Sequence, residues 1–236
     1  MKSLGATTLH LTVLPLLAIA QTSNIRPVKG TPMTRAFDIS WVDNSMQRYY
    51  LADRSNNAID LVDAATDTFL GFIDRGNYTG SRPCPEQPRD LRHCSGPNGV
   101  LTDNLGHVWA GDGDGNIIEA DATKPATTVL RKIATGGRFR VDELAYDPIH
   151  QILLASNDGD SPVFLTFVSI KDGHVLGHYK YPVDQEGLEQ PAWVRQTGWF
   201  YRNVPGQRIA SMYSILRRTR IQSRVSRWTA EAVCLV

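Results

Sequence analysis

One short pattern returns four times along the chain and limits the folds that this sequence can adopt. Each copy begins with a few strand-forming residues, continues for about ten residues, and ends in an aromatic or aliphatic run closed by Asp or Asn. The copies span 37–53, 98–112, 142–157 and 190–203, and apart from one long insertion they start about 45 residues apart. That length is typical of the four-stranded blade of a β-propeller, which must stack on neighbouring blades to bury both faces.

Runs of β-branched and aromatic residues separated by turn residues predict the strands of each blade. In the first blade they predict strands at 37–42, 48–52, 58–63 and 68–73. The second and third units show the same order of strands and turns. We therefore predict an all-β fold, a β-propeller of four-stranded antiparallel blades, spanning 37–206.

The fourth unit begins at Glu189 and loses the pattern after Gly206. Residues 207–236 contain no Gly, Pro, Asn or Asp, and they show no alternation of apolar and polar residues. We predict a non-blade, Arg-rich tail here and about three and a half readable blades, part of a propeller of six or seven blades that is truncated or mis-spliced. The alternative is an amphipathic C-terminal helix with Ile209, Tyr213 and Leu216 on one side.

Net charge argues against nucleic acid as a partner. The whole chain carries a formal charge of +1, but the tail has six Arg and one Glu, so it contributes +6 − 1 = +5 and the remainder +1 − 5 = −4. A body with this charge offers no basic surface for a phosphate backbone.

The first twenty residues resemble a secretory signal. Lys2 precedes an apolar stretch from Leu11 to Ala20, which ends in the cleavage pattern Ala18-Ile19-Ala20. The stretch is too short for a permanent membrane span. We predict a signal peptide at 1–20, a mature N-terminal arm at 21–36 and a secreted protein; a buried or membrane-retained segment is the alternative.

A Pro-rich insertion at 75–97 fits an oxidising compartment. Cys84 and Cys94 are ten residues apart within it, and a disulfide between them would stiffen a loop that has no core of its own. Asn77 begins an Asn-Tyr-Thr acceptor for N-glycosylation. Cys234 is a third thiol without a predicted partner.

Motifs for covalent catalysis, zinc or phosphate binding are missing from the sequence. The glycines at 111, 113 and 115 do not form a phosphate-binding loop, the histidines lack zinc spacing, and no nucleophile elbow occurs. The Asp- and Gly-rich run at 112–116 lacks the glycine and glutamate of an EF-hand, and a hairpin turn explains it.

Polar residues at the start of each inner strand form the best candidate site. In a propeller these positions face the axis at one end, so one polar side chain per blade converges there. Oxygen ligands of this kind suit Ca²⁺ or Mg²⁺. The alternative is that they bond backbone groups at the mouth of the channel. The positions are Asp38, Asn98, Asp142 with Glu143, and Glu189 with Gln190.

Three of these segments resemble a known family. The segments 96–100, 141–147 and 189–193 are similar to strand starts in the group of senescence marker protein 30, gluconolactonase and related lactonases. The resemblance implies a six-bladed propeller that binds a divalent cation. It implies metal ligands at Asn98, Asp142 and Glu189, with Asp142 also acting as the general base.

A second resemblance covers 37–206. Residues 49–66, a strand, a turn, a strand and then Asp-x-x-Thr, are similar to the repeat of YncE-like and YVTN propellers. Such repeats occur in many secreted binding proteins, and a fold does not name an activity. Two functions follow as hypotheses. The first is a non-catalytic extracellular module whose rim loops, especially 75–97, bind a protein, a glycan, a small molecule or another ligand. The second is a divalent-metal-dependent hydrolase of lactone or ester bonds.

Overall fold

The computed structural model describes residues 27–85, 91–126, 128–181, 187–204 and 212–216. The described chain forms four antiparallel sheets, each made of strands that are consecutive in sequence. Blade one contains β1 (Phe37–Asp43), β2 (Arg48–Asp53), β3 (Ala58–Asp63) and β4 (Thr68–Ile73). Blade two contains β5 (Val100–Thr102), β6 (His107–Gly111), β7 (Asn116–Asp121) and β8 (Val129–Ala134).

The other two blades follow the same plan. Blade three contains β9 (Leu144–Asp147), β10 (Ile152–Asn157), β11 (Phe164–Ser169) and β12 (Val175–Lys180). Blade four contains β13 (Pro191–Val194), β14 (Trp199–Val204) and β15 (Met212–Leu216). The predicted all-β propeller of four-stranded antiparallel blades is confirmed, with strand ends that differ from the sequence-based bounds by one or two residues.

Strand β15 corrects one prediction. The sequence analysis expects no strand after Gly206, yet Met212–Leu216 pairs antiparallel with β14, and Ile215 lies opposite Tyr201. The residues that favour a turn precede the strand in the sequence, at Pro205 and Gly206, so their lack further on does not prevent pairing. The alternative helix is also wrong for Tyr213 and Leu216, whereas Ile209 lies outside the described residues.

Three apolar clusters hold the blades together, one at each interface between neighbours. A blade buries its two faces against the blades on either side, so alternate residues of one strand belong to different clusters. In β6, Val108 and Ala110 pack toward blade one, whereas Trp109, which is fully buried, packs toward blade three. The third cluster joins Leu154, Phe167 and other residues of blade three to Phe200 of blade four.

The N-terminal arm pairs through Lys29 with the start of β4, and its last residues reach the end of the blades where the inner strands start, to which the insertion also attaches. The backbone N–H groups of Arg35 and Ala36 donate to the hydroxyl of Ser55, which lies in the turn after β2. The insertion contains a short 3-10 helix at Leu91–Cys94 and the predicted Cys84–Cys94 disulfide. Residues 1–26, which include the predicted signal peptide, lie outside the described residues.

Within the described ranges, the structure contains no helix with the length and apolar character needed to span a membrane.

Candidate binding site at the propeller axis

The inner strands β1, β5, β9 and β13 follow one another around the propeller axis, and each contacts the next. Their N-terminal ends therefore lie at the same end of the axis. Between blades two and three, the N–H of Gly99 donates to the carbonyl of Asp142 over 3.0 Å. A Cβ atom at position 99 would lie 2.1 Å from that carbonyl oxygen, so only glycine fits.

Arg54 joins the starts of blades one and two. This residue follows β2, is 7% exposed, and directs its guanidinium at Asp38 of the first inner strand and at Asn98 before the second. The Nε of Arg54 donates to Oδ1 of Asn98 over 3.1 Å. The amide nitrogen of Asn98 donates to the carbonyl of Val141, so this fully buried side chain is bonded at both ends.

Arg140 joins two carboxylates of blade three, one before its inner strand and one after its second strand. Its Nη2 lies 2.9 Å from Oδ2 of Asp142 and also pairs with Asp158, which follows β10. The other carboxylate oxygen of Asp158 accepts the N–H of Leu188, which leads into blade four, over 2.7 Å. Arg140 and these two carboxylates thus link blades three and four on the axis. We call Asp38, Arg54, Asn98, Arg140, Asp142, Glu143 and Asp158 the axial mouth.

Arg202 of β14 lies buried beside the axial mouth and is only 1% exposed. Its Nη1 donates to the hydroxyl of Tyr181 over 3.1 Å, and its guanidinium carbon lies 5.6 Å from the centre of that ring. Its Nε and Nη2 find no hydrogen-bond partner among the described residues. Burial lowers the pKa of Arg202, while the charges of Tyr181 and Glu143 oppose this shift.

Two adjacent acids of the axial mouth resist ionisation. Burial raises the pKa of Asp142 to about 7; Arg140 opposes the rise, and the charges of Asp38 and Asp158 add to it. Burial raises the pKa of Glu143 to about 9, and the charge of Asp142 adds to that rise. Oε2 of Glu143 is buried and has no hydrogen-bond partner among the described residues. Glu143 is therefore a neutral acid at pH 7.

These residues do not fit a divalent cation. A hard cation needs several oxygen atoms that are free to converge on it, but Oδ1 of Asn98 faces Arg54 and Oδ2 of Asp142 faces Arg140. The third predicted ligand, Glu189, is exposed, and its charge makes a minor contribution to the raised pKa of Glu143. Two guanidinium groups therefore supply the positive charge that the sequence analysis assigns to Ca²⁺ or Mg²⁺. Cation binding stays a prediction.

The structure brings together Asp38, Asn98, Asp142 and Glu143, as the sequence analysis predicts for strand starts. It also adds Arg54, Arg140, Asp158 and Arg202, which the sequence analysis missed. For Arg202 the repeat carries a signal: its register equivalents in the other blades are Leu51, Ala110 and Ala155. A single arginine at a position otherwise held by small or apolar residues indicates a local polar role.

Below the axial mouth, the four inner strands line an open-sided pocket of about 490 Å³, which we call the axial channel. Its walls include Trp41, Tyr146 and Trp193, together with aliphatic residues and prolines. None of the described residues that line it carries a charge. The axial channel is therefore chemically the opposite of the axial mouth, although the same strands build both.

A second group of possible metal ligands lies away from the axis, in blade two. Asp103, His107 and Glu119 place one ligand atom each within 4.8 Å of one another. Their oxygens are already used, since Trp109 Nε1 donates to Asp103 over 3.0 Å and Arg131 pairs with Glu119 through two nitrogens. This group braces the blade around its buried tryptophan.

Asn77 is exposed near the start of the insertion. The hydroxyl of Thr79, the third residue of its acceptor pattern, donates to the buried carboxylate of Asp112 over 2.8 Å. Asn77 itself is thus at a surface where a glycan has room, and its modification stays a prediction.

Comparison with known proteins shows the fold alone. Three solved propellers resemble this chain: the WD40 domain of Doa1, with 14% identity and a TM-score of 0.50, the WD40 repeats of RRP9, and U3-55K. The last two each show 13% identity and a TM-score of 0.55. The matches cover 71%, 75% and 75% of this chain but 47%, 47% and 48% of those chains, so it spans about half their length.

No family model and no curated protein matches the sequence.

Proposed function

We propose that this chain is a secreted, non-catalytic binding module that holds a protein partner on its axial mouth. The propeller fold supports a protein-binding role in general terms, since a ring of stacked blades presents a rigid rim of loops and strand starts. Binding and catalytic residues commonly lie on loops that a rigid scaffold positions.

One observation carries the proposal: the acids that would perform hydrolysis are held by guanidinium groups. A general base must reach the proton that it removes, and a Lewis-acid metal needs open coordination positions. Asp142 instead pairs with Arg140, and Asn98 is bonded at both ends of its amide. This argues against the metal-dependent lactonase or esterase and favours recognition.

The charges of the axial mouth indicate the chemistry of the partner. Together with its neighbours Glu189 and Arg202, the mouth contains five carboxyl groups and three guanidinium groups. Burial raises the pKa values of Asp142 and Glu143, and the charges of neighbouring carboxylates add to the rise. A basic side chain from a partner would relieve this repulsion, so we propose a partner segment that presents Lys or Arg.

Two features of the sequence support an extracellular location. Residues 1–20 carry the pattern of a signal peptide. The Cys84–Cys94 disulfide is a bond that persists in oxidising compartments. Expression of the full chain in a eukaryotic cell line tests this part: we expect protein in the medium that begins at Gln21, and retention of the uncleaved chain in cells would contradict it.

A differential enrichment experiment tests the binding role. The purified chain is immobilised, incubated with proteins secreted by its native source, and compared with the variant Asp38→Asn, which removes an accessible charge of the axial mouth. The matched control is Asp63→Asn. Asp63 ends β3 at the end of blade one away from the mouth, where it pairs with Arg48 over 2.6 Å. Bound proteins are then identified by mass spectrometry and titrated individually.

We expect at least one basic protein to bind the unmodified chain and Asp63→Asn equally, and to bind Asp38→Asn several-fold more weakly at low salt. Raising the salt concentration should weaken this binding. Equal binding of all three proteins, or turnover of lactones that Asp142→Asn abolishes, would contradict the proposal.

A further inference from the structure

The axial channel contains a large aromatic side chain that is both exposed and fixed in place. Trp41 of β1 is 38% exposed, although a tryptophan without a ligand is more stable when buried. Its indole Nε1 donates to the hydroxyl of Thr102 over 3.1 Å. The hydroxyl of Thr102, which is 2% exposed, donates in turn to Oδ2 of Asp43 over 2.8 Å.

Asp43, the last residue in this chain of hydrogen bonds, is itself fixed in place. Oδ1 of Asp43 accepts the N–H groups of Ser45 and Met46, at 2.9 and 3.0 Å, in the turn that ends β1. The ring of Trp41 is thus oriented from blade two before any ligand arrives. A pre-oriented aromatic surface loses little conformational entropy when it binds, which favours affinity.

The channel offers the size and polarity of a small-molecule site. Its volume of about 490 Å³ lies within the range of roughly 300–1,000 Å³ that is usual for such sites. Tyr146 and Trp193 add aromatic surface from blades three and four, and Val100 and Leu144 add aliphatic surface. Since no described lining residue is charged, a charged ligand would lose its hydration without gaining a counter-ion.

We propose that the axial channel binds a neutral aromatic molecule, with the ring packed against Trp41. The proposal goes beyond the binding role given above, because it uses the channel instead of the mouth. Ligand binding in the channel and protein binding at the mouth are therefore separable by mutation.

The probe for the test is 6-propionyl-2-(dimethylamino)naphthalene, a neutral fluorescent naphthalene whose emission shifts to the blue in apolar surroundings. It is titrated against the purified full chain, with energy transfer from tryptophan as a second signal. Anionic 2-naphthalenesulfonate serves as the charged competitor of similar ring size.

The blocking variant is Ala192→Phe, because Ala192 lines the channel and is exposed, so a larger side chain fills the cavity without disturbing a packed core. The matched control is Ala65→Phe, at an exposed turn of blade one. Glu143→Gln serves as the mouth variant.

We expect saturable binding of the probe in the micromolar range, at least about tenfold weaker in Ala192→Phe and unchanged in Ala65→Phe and Glu143→Gln. The sulfonate should compete at least about tenfold more weakly than unlabelled neutral naphthalenes. Absence of saturable binding, equal binding by Ala192→Phe, or equal competition by the sulfonate would overturn the proposal. Loss of probe binding in Glu143→Gln would overturn the separation of channel from mouth. None of these results bears on capture of a protein partner, so the two proposals fail independently.

Discussion

The axial mouth and the axial channel are built by the same four inner strands, yet they have opposite chemistry. At the mouth, Arg54 and Arg140 are themselves buried, and each bridges two polar groups of the strand starts and turns. In the channel, which lies further along the same strands, the lining side chains are neutral and Trp41 is partly exposed.

The residues of the mouth contribute to stability, whereas those of the channel are available for ligand binding. A buried charge that loses its partner is costly, so residues of the mouth are tied to the stability of the blades around them. The neutral channel can gain or lose a ligand without leaving a charge unpaired. Substitutions in the mouth should therefore change the free energy of unfolding, and substitutions in the channel should mainly change affinity.

The largest effect is expected at Arg140. Arg140→Met leaves Asp142 and Asp158 without their shared guanidinium in a buried site, and we expect it to lower the free energy of unfolding by about 3 kcal/mol. Lys132→Met is the control, because it removes an exposed ion pair with Asp114 and should cost less than about 1 kcal/mol. Urea unfolding followed by tryptophan fluorescence measures both. A loss as small as the control's would break the distinction between mouth and surface.

The second effect concerns pH. The folded-state pKa values of Asp142 and Glu143, about 7 and about 9, lie above those of the unfolded chain, near 4. The folded state binds more protons between these values, so the free energy of unfolding should fall as pH rises from about 4 to about 9.

Glu143→Gln keeps the shape of the neutral acid and removes one titration. We expect it to flatten the fall between pH 7 and 9, so that the loss of stability over this interval is smaller than in the unmodified chain by about 2 kcal/mol. Glu189→Gln, at an exposed residue, should show a smaller effect in the same direction. Urea midpoints at pH 5, 7 and 9 provide the measurement; an unaltered slope in Glu143→Gln would show that this group is ionised in the folded state.

A third prediction uses the insertion, whose described residues contact the mouth and do not line the channel. The N–H of Ser81 donates to the carbonyl of Arg54, and the N–H of Arg140 donates to the carbonyl of His93. Replacing both Cys84 and Cys94 by alanine should lower the free energy of unfolding by about 2 kcal/mol. Affinity for the naphthalene probe should stay within about twofold, whereas a larger loss would show that mouth and channel are coupled.

The smallest effect on stability is expected for Thr102→Val, at the wall of the channel. Thr102→Val removes the acceptor for the indole of Trp41 and should cost about 1 kcal/mol of stability. It should also weaken probe binding several-fold, because the ring is no longer oriented. The control Thr31→Val removes an exposed hydroxyl that donates to the carbonyl of Val28 over 2.9 Å. If both variants bind the probe like the unmodified chain, the hydrogen bonds from Trp41 through Thr102 to Asp43 do not orient the indole ring for binding.

The sequence predicts the fold and the place of the mouth because both depend on a repeated pattern. Strands alternate with turn residues in each copy, and the polar residue before each inner strand recurs at Asn98 and Asp142. Successive repeats fold into blades that are related by rotation about one axis. Equivalent residues of successive blades therefore lie close together near that axis. This reasoning places Asp38, Asn98 and Asp142 correctly.

The guanidinium groups could not be predicted in the same way, because they do not repeat. Arg54 follows a second strand, Arg140 precedes a first strand and Arg202 lies within β14, so three different positions supply one charge each. An arginine in a turn is usually solvated, and only the tertiary structure shows that Arg54 and Arg140 point inward. The exposure of Trp41 could not be predicted from the sequence either, because the pattern of β1 does not differ from that of the neighbouring strands.

In the axial mouth, guanidinium groups take the place of a divalent cation. Calorimetric titration of the purified full chain with CaCl₂ tests this statement. We predict no saturable heat, together with the same melting temperature in calcium and in EDTA. Binding of one Ca²⁺ per chain that Asp142→Asn abolishes would contradict the claim and restore the metal-dependent hydrolase as the better interpretation.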